Sequence, residues 1–115
     1  MTQANAETRE VHDDQALLLV RGSKGDNKEA DKEYVKKLSN AILQVLYKHN
    51  VVRLRCVGAA ALNNATKAFI IARGEAQKKG ERLISEENFT TVNFDGNTKT
   101  GILKEVSQYN VVSSN

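Results

Sequence analysis

Glycines and lysines in the segment 21–28 are the first residues of this sequence whose types and spacing could serve chemistry. Such a loop can offer backbone N–H groups and cations to a phosphate. The nucleotide-binding P-loop ends in Gly-Lys-Ser or Gly-Lys-Thr, whereas here Asn27, Lys28 and Glu29 follow one another. A P-loop is therefore excluded, and a phosphate contact by Lys24 or Lys28 competes with a plain solvated connection.

A second anion-binding feature is predicted where Gly58 and three alanines begin a helix. None of these side chains can cap the helix, so its first N–H groups remain open to an anion. The dinucleotide-binding fingerprint requires further glycines that this turn lacks. The polar side of the same helix carries amides and cations, namely Asn63, Asn64, Lys67 and Arg73.

Catalytic and metal-binding groups are sparse. The sequence has one cysteine, Cys56, and two histidines, His12 and His49. One cysteine excludes an intramolecular disulfide and a multi-cysteine zinc site. No nucleophile, base and orienting group stand at spacings that suggest one another, and no cluster of carboxylates and histidines suggests a metal site. We therefore expect no enzyme activity, no cofactor, no metal and no small-molecule substrate, and we expect Cys56 to be a buried apolar residue.

The overall charge allows polyanion binding without requiring it. A chain of 115 residues with a formal net charge of +3 is one domain, and its cations must cluster locally to attract a polyanion. No apolar run is long enough to span a bilayer, and the N-terminus lacks a secretory signal pattern. We expect no membrane partner and a cytoplasmic location, with the nucleoid and the nucleus left open.

Three elements are predicted in the first half of the chain. The apolar run 16–20 indicates a strand, and apolar residues at steps of three and four over 30–48 indicate an amphipathic helix. Residues 51–57 alternate, which predicts a strand with one apolar face and one face carrying Arg53 and Arg55. These two arginines could contact phosphates, or they could pair with glutamates of a neighbouring strand.

The second half predicts an alanine-rich helix and a hairpin. The buried stripe of the helix is expected to comprise Ala61, Leu62, Ala65, Ala68, Phe69 and Ala72. Ile70 and Ile71 are expected to widen this stripe. Small alanines allow close approach to a sheet or to a partner subunit, so Leu62, Ala65 and Phe69 are candidate dimer contacts. Strands over 89–94 and 98–106 flank an Asp95-Gly96 turn, which leaves Lys99 near the hairpin tip.

The order strand, helix, strand, helix, strand, strand predicts an α/β two-layer sandwich. A right-handed crossover places both helices on one face of a mixed four-stranded sheet. The polar residues 1–14 are expected to be a disordered arm, 15–107 the domain, and 108–115 a flexible tail.

Residues 58–74 resemble the signature of the stage V sporulation protein S family, with its Gly-Ala-Ala-Ala-Leu-Asn start and Ile-Ala-Arg-Gly end. The hairpin at 95–102 is similar to the Asp-Gly turn and threonine strand of that family. The resemblance is dense over 56–74 and follows the element order over about 16–106. It departs in the polar arm, the tail and the segment 78–82. The hairpin is short and lightly basic in comparison with the Alba proteins, which that family resembles.

The family in turn resembles the Alba proteins, which are small dimeric α/β binders of nucleic acid. This resemblance implies an Alba-like fold, a homodimer or higher oligomer, and DNA or RNA binding linked to gene regulation in sporulation or development. It does not distinguish DNA from RNA.

Two functions are therefore carried forward. The first is a nucleic-acid-binding regulator of low sequence specificity, whose contacts would be mainly electrostatic. Its candidate contact residues are Lys24, Lys28, Asn63, Asn64, Lys67, Arg73 and Lys99. The alternative is a dimeric protein–protein interaction or scaffold domain that binds no nucleic acid.

Overall fold

The computed structural model describes residues 16–22 and 27–109. The predicted arm over 1–14, the candidate Lys24 and the end of the predicted tail, 110–115, lie outside these residues. The elements are β1 (Leu17–Val20), α1 (Lys28–His49), β2 (Val52–Cys56), α2 (Ala59–Lys78), β3 (Leu83–Phe94) and β4 (Asn97–Gln108). This order and the α/β class confirm the prediction.

The four strands form one mixed sheet in the order β1-β2-β4-β3. β1 and β2 are parallel, with Leu18 opposite Leu54, and α1 is their crossover connection. β4 runs antiparallel to both β2 and β3. β2 and β4 therefore lie in the centre, and β1 and β3 are the edge strands.

One apolar core lies between this sheet and the helices. On β2, Val52, Leu54 and Cys56 are fully buried, while Arg53 and Arg55 point to the opposite face, as the alternation predicts. The buried stripes of both helices belong to the same apolar cluster. Both helices therefore lie on one face of the sheet, and none of the described residues forms a helix on the other face.

The alanine stripe of α2 is buried more completely than any other helix surface in the described part of the chain. Ala65, Ala68, Ala72 and Ala76 are fully covered, but Ile70 and Ile71 are 50% and 41% exposed. The expectation that the isoleucines widen the stripe is wrong. At 3.6 residues per turn, Ile70 and Ile71 lie on opposite sides of the alanine stripe, roughly 155° and 105° around the helix from its centre.

The two helices begin differently. Asn27 caps α1, because its Oδ1 accepts a hydrogen bond from the Ala30 amide at 3.1 Å. Gly58 precedes α2 and supplies no side-chain cap, as the sequence predicts. Gly22, just after β1, lies against the start of α2: a Cβ added to Gly22 would come 3.0 Å from the Cβ of Ala60.

The β3–β4 hairpin is longer than the sequence pattern indicates. Asp95 and Gly96 form its turn with positive φ angles of 49° and 82°, which confirms the predicted turn. β3, however, begins at Leu83 rather than at residue 89, and Leu83 pairs with Gln108. β-branched residues are scarce over 83–88, and pairing with β4 imposes the strand there despite the weak local preference.

Two glycine substitutions test this packing in opposite directions. A Cβ at Gly101 would lie 2.7 Å from the carbonyl oxygen of Cys56, whereas a Cβ at Gly74 in α2 meets nothing within 4 Å. We expect Gly101→Ala to lower the free energy of unfolding by about 1–3 kcal/mol. Gly74→Ala is expected to raise it by about 0.5–1 kcal/mol, because a helical alanine loses less backbone entropy.

Urea unfolding followed by circular dichroism measures both changes. Equal effects of the two substitutions would contradict the close approach of β4 to β2 at Gly101.

Candidate functional site

A surface depression lies between the two helices. It has a volume of about 800 Å³ and is named here the α1–α2 groove. Its lining residues come from one side of each helix: Lys28, Asp31, Lys32, Val35, Lys36, Asn63, Asn64, Lys67, Ile70 and Ile71.

The α1 wall of this groove carries a row of cations. Lys28, Lys32 and Lys36 are spaced by four residues and are exposed, so they follow one another at about 6 Å along the helix axis. Asp31 is the one carboxylate in the groove lining. The row begins in the first turn of α1, where the Asn27 cap sets the start of the helix.

The α2 wall is mainly apolar and amide in character. Ile70 and Ile71 are partly exposed there, and Lys67 lies one turn before them. Asn63 is exposed, but Asn64 is only 4% exposed. Its Nδ2 donates to the carbonyl oxygen of Arg21 at 2.9 Å, so this amide joins α2 to the end of β1.

The structure brings together four of the seven predicted contact residues. Lys28, Asn63, Asn64 and Lys67 line the α1–α2 groove. Arg73 lies elsewhere on α2, with its guanidinium 5.4 Å from the centre of the Phe69 ring. Lys99 lies on the hairpin, with its Nζ 5.8 Å from the centre of the Phe94 ring.

Two lysines of the groove, Lys32 and Lys36, were not among the candidate contact residues predicted from the sequence. The signal that marks them is the four-residue repeat that starts at Lys28. A repeat of lysines on one side of a helix becomes a site only when another element stands opposite, and the helix pattern alone does not report that neighbour.

The candidate dimer residues belong to the core of the single chain or pack against it. Ala65 is fully buried, Phe69 is 7% exposed, and Leu62 packs against the same core. Their role between subunits stays a prediction. The apolar side chains that α2 leaves accessible are Ile70 and Ile71.

The sheet cations meet carboxylates on neighbouring strands. Arg53 on β2 lies directly opposite Glu105 on β4, and its Nη2 is 2.7 Å from Glu105 Oε2. Of the two roles open to Arg53 in the sequence, pairing with a glutamate is the one that the structure contains.

A second ion pair lies under a smaller depression, named here the α2–β3 groove, of about 490 Å³. Lys104 is 7% exposed on the helix-facing side of β4, and its Nζ donates to Glu87 Oε2 at 2.8 Å. The Ser85 hydroxyl donates to the same oxygen at 2.7 Å. The groove is lined by Thr66, Phe69, Ile70, Arg73, Leu83, Ile84, Ser85, Glu87 and Lys104.

Both hydrogen bonds favour the ionised carboxyl of Glu87. The bond from Lys104, then that from Ser85, lowers the pKa of Glu87 below its ordinary value of 4.5, against a smaller opposing effect of burial.

Burial raises the pKa of the Cys56 thiol above the ordinary value. Its full burial confirms the apolar role expected for it.

Within residues 16–22 and 27–109, no three side chains of His, Cys, Asp or Glu stand close enough together to hold a metal ion. Within the same residues, neither helix is long and apolar enough to cross a membrane.

Most of the chain matches a known protein family. A family model described as Stage V sporulation protein S (SpoVS) matches residues 28–109. The matched region runs from the first residue of α1 to just past the end of β4. It contains every lining residue of both grooves.

Substitution of Glu87 tests this ion pair, in which the Lys104 side chain is 8% exposed and the Glu87 side chain 44%. Glu87→Gln leaves the ammonium of Lys104 with a weaker acceptor, and solvent screens the exposed carboxylate, so we expect a loss of about 1 kcal/mol in the free energy of unfolding at pH 7. Because folding lowers the pKa of Glu87, its contribution is complete above the ordinary pKa and is lost as the pH falls through the lower, folded value. The difference between wild type and variant should therefore shrink in acid.

Glu86→Gln is the matched control, since Glu86 is exposed and lies opposite another carboxylate, Glu105. It should change the stability by less than about 0.5 kcal/mol. Urea unfolding between pH 3 and pH 7 measures both variants. Equal stability of Glu87→Gln and wild type at pH 7 would contradict a stabilising role for the pair.

Proposed function

The chain belongs to the stage V sporulation protein S family, and from that premise we propose that it binds nucleic acid through the α1–α2 groove. One observation carries the proposal: four lysines from two separate helices line a single groove that contains one aspartate. Two of these lysines, Lys28 and Lys67, were candidate contacts on sequence grounds alone. The family is a sporulation-related one, and DNA or RNA binding is the more specific function proposed for this member.

The groove suits contact with the nucleic-acid backbone. Lysine ammonium groups are point charges that attract phosphates without reading a base, and the counterions released on binding supply most of the free energy. The groove lining contains no arginine that could form a bidentate contact with a guanine edge. We therefore propose binding of low sequence specificity.

The other candidates have secondary places in this proposal. Lys24 precedes Lys28 by four residues and stays a candidate on sequence grounds. Arg73 lines the α2–β3 groove and Lys99 lies on β4, so both would act on a long ligand that extends past the α1–α2 groove. The protein would act as a cytoplasmic, non-enzymatic regulator in sporulation or development.

Self-association is a second candidate function, and a separate observation favours it. Phe89 on the edge strand β3 is 81% exposed, the highest value among the large apolar side chains described. Exposed aromatic residues are enriched where proteins associate. A second copy covering β3 and the α2–β3 groove would bury Phe89 and the exposed side of Ile70.

Removing two groove lysines tests nucleic-acid binding. Lys32→Gln with Lys36→Gln should weaken binding to any sequence, because two phosphate contacts are lost. The plot of log binding constant against log salt concentration should become shallower by about 1.4 for single strands or about 1.8 for a duplex. Fluorescence anisotropy over a salt series measures both quantities.

The matched control is Lys37→Gln with Lys48→Gln. Both lysines are exposed on α1, and neither lines the groove. This variant carries the same change in net charge. If both double variants reduce the affinity and the salt slope equally, binding follows net charge and the groove is not the site. If wild type binds neither DNA nor RNA at low salt, the proposed function is wrong.

Phe89→Ser tests self-association. We expect a dimer of the wild type to dissociate to monomers in this variant, with unchanged unfolding, because Phe89 contributes little to the core of one chain. Sedimentation velocity over a concentration series measures the oligomeric state. Leu19→Ser is the control, since Leu19 is 61% exposed on the opposite edge strand, β1. If Leu19→Ser dissociates the dimer and Phe89→Ser does not, the contact lies on β1 instead of β3. A monomeric wild type would exclude the dimer.

A further inference from the structure

The two walls of the α1–α2 groove differ in chemistry. The α1 wall carries Lys28, Lys32 and Lys36, three of the four lysines of the groove. The α2 wall carries Ile70 and Ile71, which are 50% and 41% exposed. A charged edge therefore runs parallel to an apolar edge, because the two helices lie side by side.

Phosphate binding does not explain why Ile70 and Ile71 are exposed. Two neighbouring β-branched side chains in water lose the free energy that burial would provide. Their α2 neighbours Ala68 and Ala72 show that this helix has a buried side available. Of the two grooves, Ile71 lines only the α1–α2 groove, so a ligand that covers Ile71 must occupy that groove.

Three polyanionic occupants make different demands on such a groove. A duplex buries its bases and presents phosphates outward, so it would leave the isoleucines uncovered. An acidic amphipathic helix places its apolar stripe in the centre, with carboxylates on both sides, and so requires cations on both walls. A single strand has phosphates along one edge and unstacked bases along the other. The groove, with most of its cations on one wall, matches the single strand.

We propose that the α1–α2 groove is specific for single-stranded nucleic acid, whose phosphates follow the lysine row of α1 and whose bases cover Ile70 and Ile71. This inference rests on the proposed nucleic-acid binding and adds the class of ligand. Asn63 is exposed at the start of the apolar wall. Its amide can donate to and accept from base edges, which a duplex holds in its own base pairs.

Paired substitutions at Ile71 test the base contact. The probes are single-stranded DNA and RNA of about 12 nucleotides, within the usual site sizes, and a DNA duplex of the same length. Ile71→Ser should lower the affinity for the single strands roughly three- to tenfold. Ile71→Tyr supplies a ring on which a base can stack, and should raise that affinity roughly fivefold or more.

Leu19→Ser is the matched control, because Leu19 is 61% exposed on β1 and lines neither groove. It should leave all affinities unchanged. Because Ile71 is on the surface, its variants should unfold at the same urea concentration as wild type. If the Ile71 variants lose as much free energy of unfolding as free energy of binding, Ile71 acts on stability and its assignment as a base contact is wrong.

The remaining outcomes separate the inference from the function on which it rests. Single strands bound more tightly than the duplex, with opposite effects of Ile71→Ser and Ile71→Tyr, would support the inference. If the duplex binds as tightly, and only the lysine variants weaken binding, the preference for single strands is wrong while nucleic-acid binding stands. If no nucleic acid binds and an acidic amphipathic peptide binds in an Ile71-dependent way, both proposals are wrong.

Discussion

Close packing of α2 through its alanine side chains is the constraint on which the rest of the structure depends. Ala65, Ala68, Ala72 and Ala76 are fully buried against the sheet and the neighbouring helix. Side chains this small let the helix backbone approach its neighbours, and larger ones would force it outward. The close approach sets α2 beside α1 and turns Ile70 and Ile71 toward the lysine row. The groove is therefore a consequence of how the core is filled.

Two cations of the sheet and the lysines of the groove have different neighbours. On the sheet, Arg53 and Lys104 lie directly opposite Glu105 and Glu87 in the strand register, and each forms an ion pair. On the helices, the groove lysines share their surface with one aspartate. The four lysines and one aspartate of the groove lining give it a formal charge equal to the net charge of +3 of the whole chain.

Several features of the fold could be predicted because they depend on neighbours in sequence. The alternation over Val52–Cys56, the Asp95-Gly96 turn and the alanine stripe of α2 each express a local period or a local backbone preference. Prediction was wrong where a distant partner overrides the local preference. β3 starts at Leu83 because β4 pairs with it, and Ile70 is exposed because the alanines already fill the space under α2.

The sequence by itself determined the order of the six elements, the apolar face of each and the presence of cations at Lys28 and Lys67. Only the tertiary structure decided that these two lysines share a groove with Lys32 and Lys36, that Arg53 meets Glu105, and that Asn64 donates to Arg21. The physical reason is the distance along the chain over which each kind of interaction acts. Periodicity reports the environment of a residue on its own element, whereas the meeting of two charges depends on strand register and helix packing across the chain.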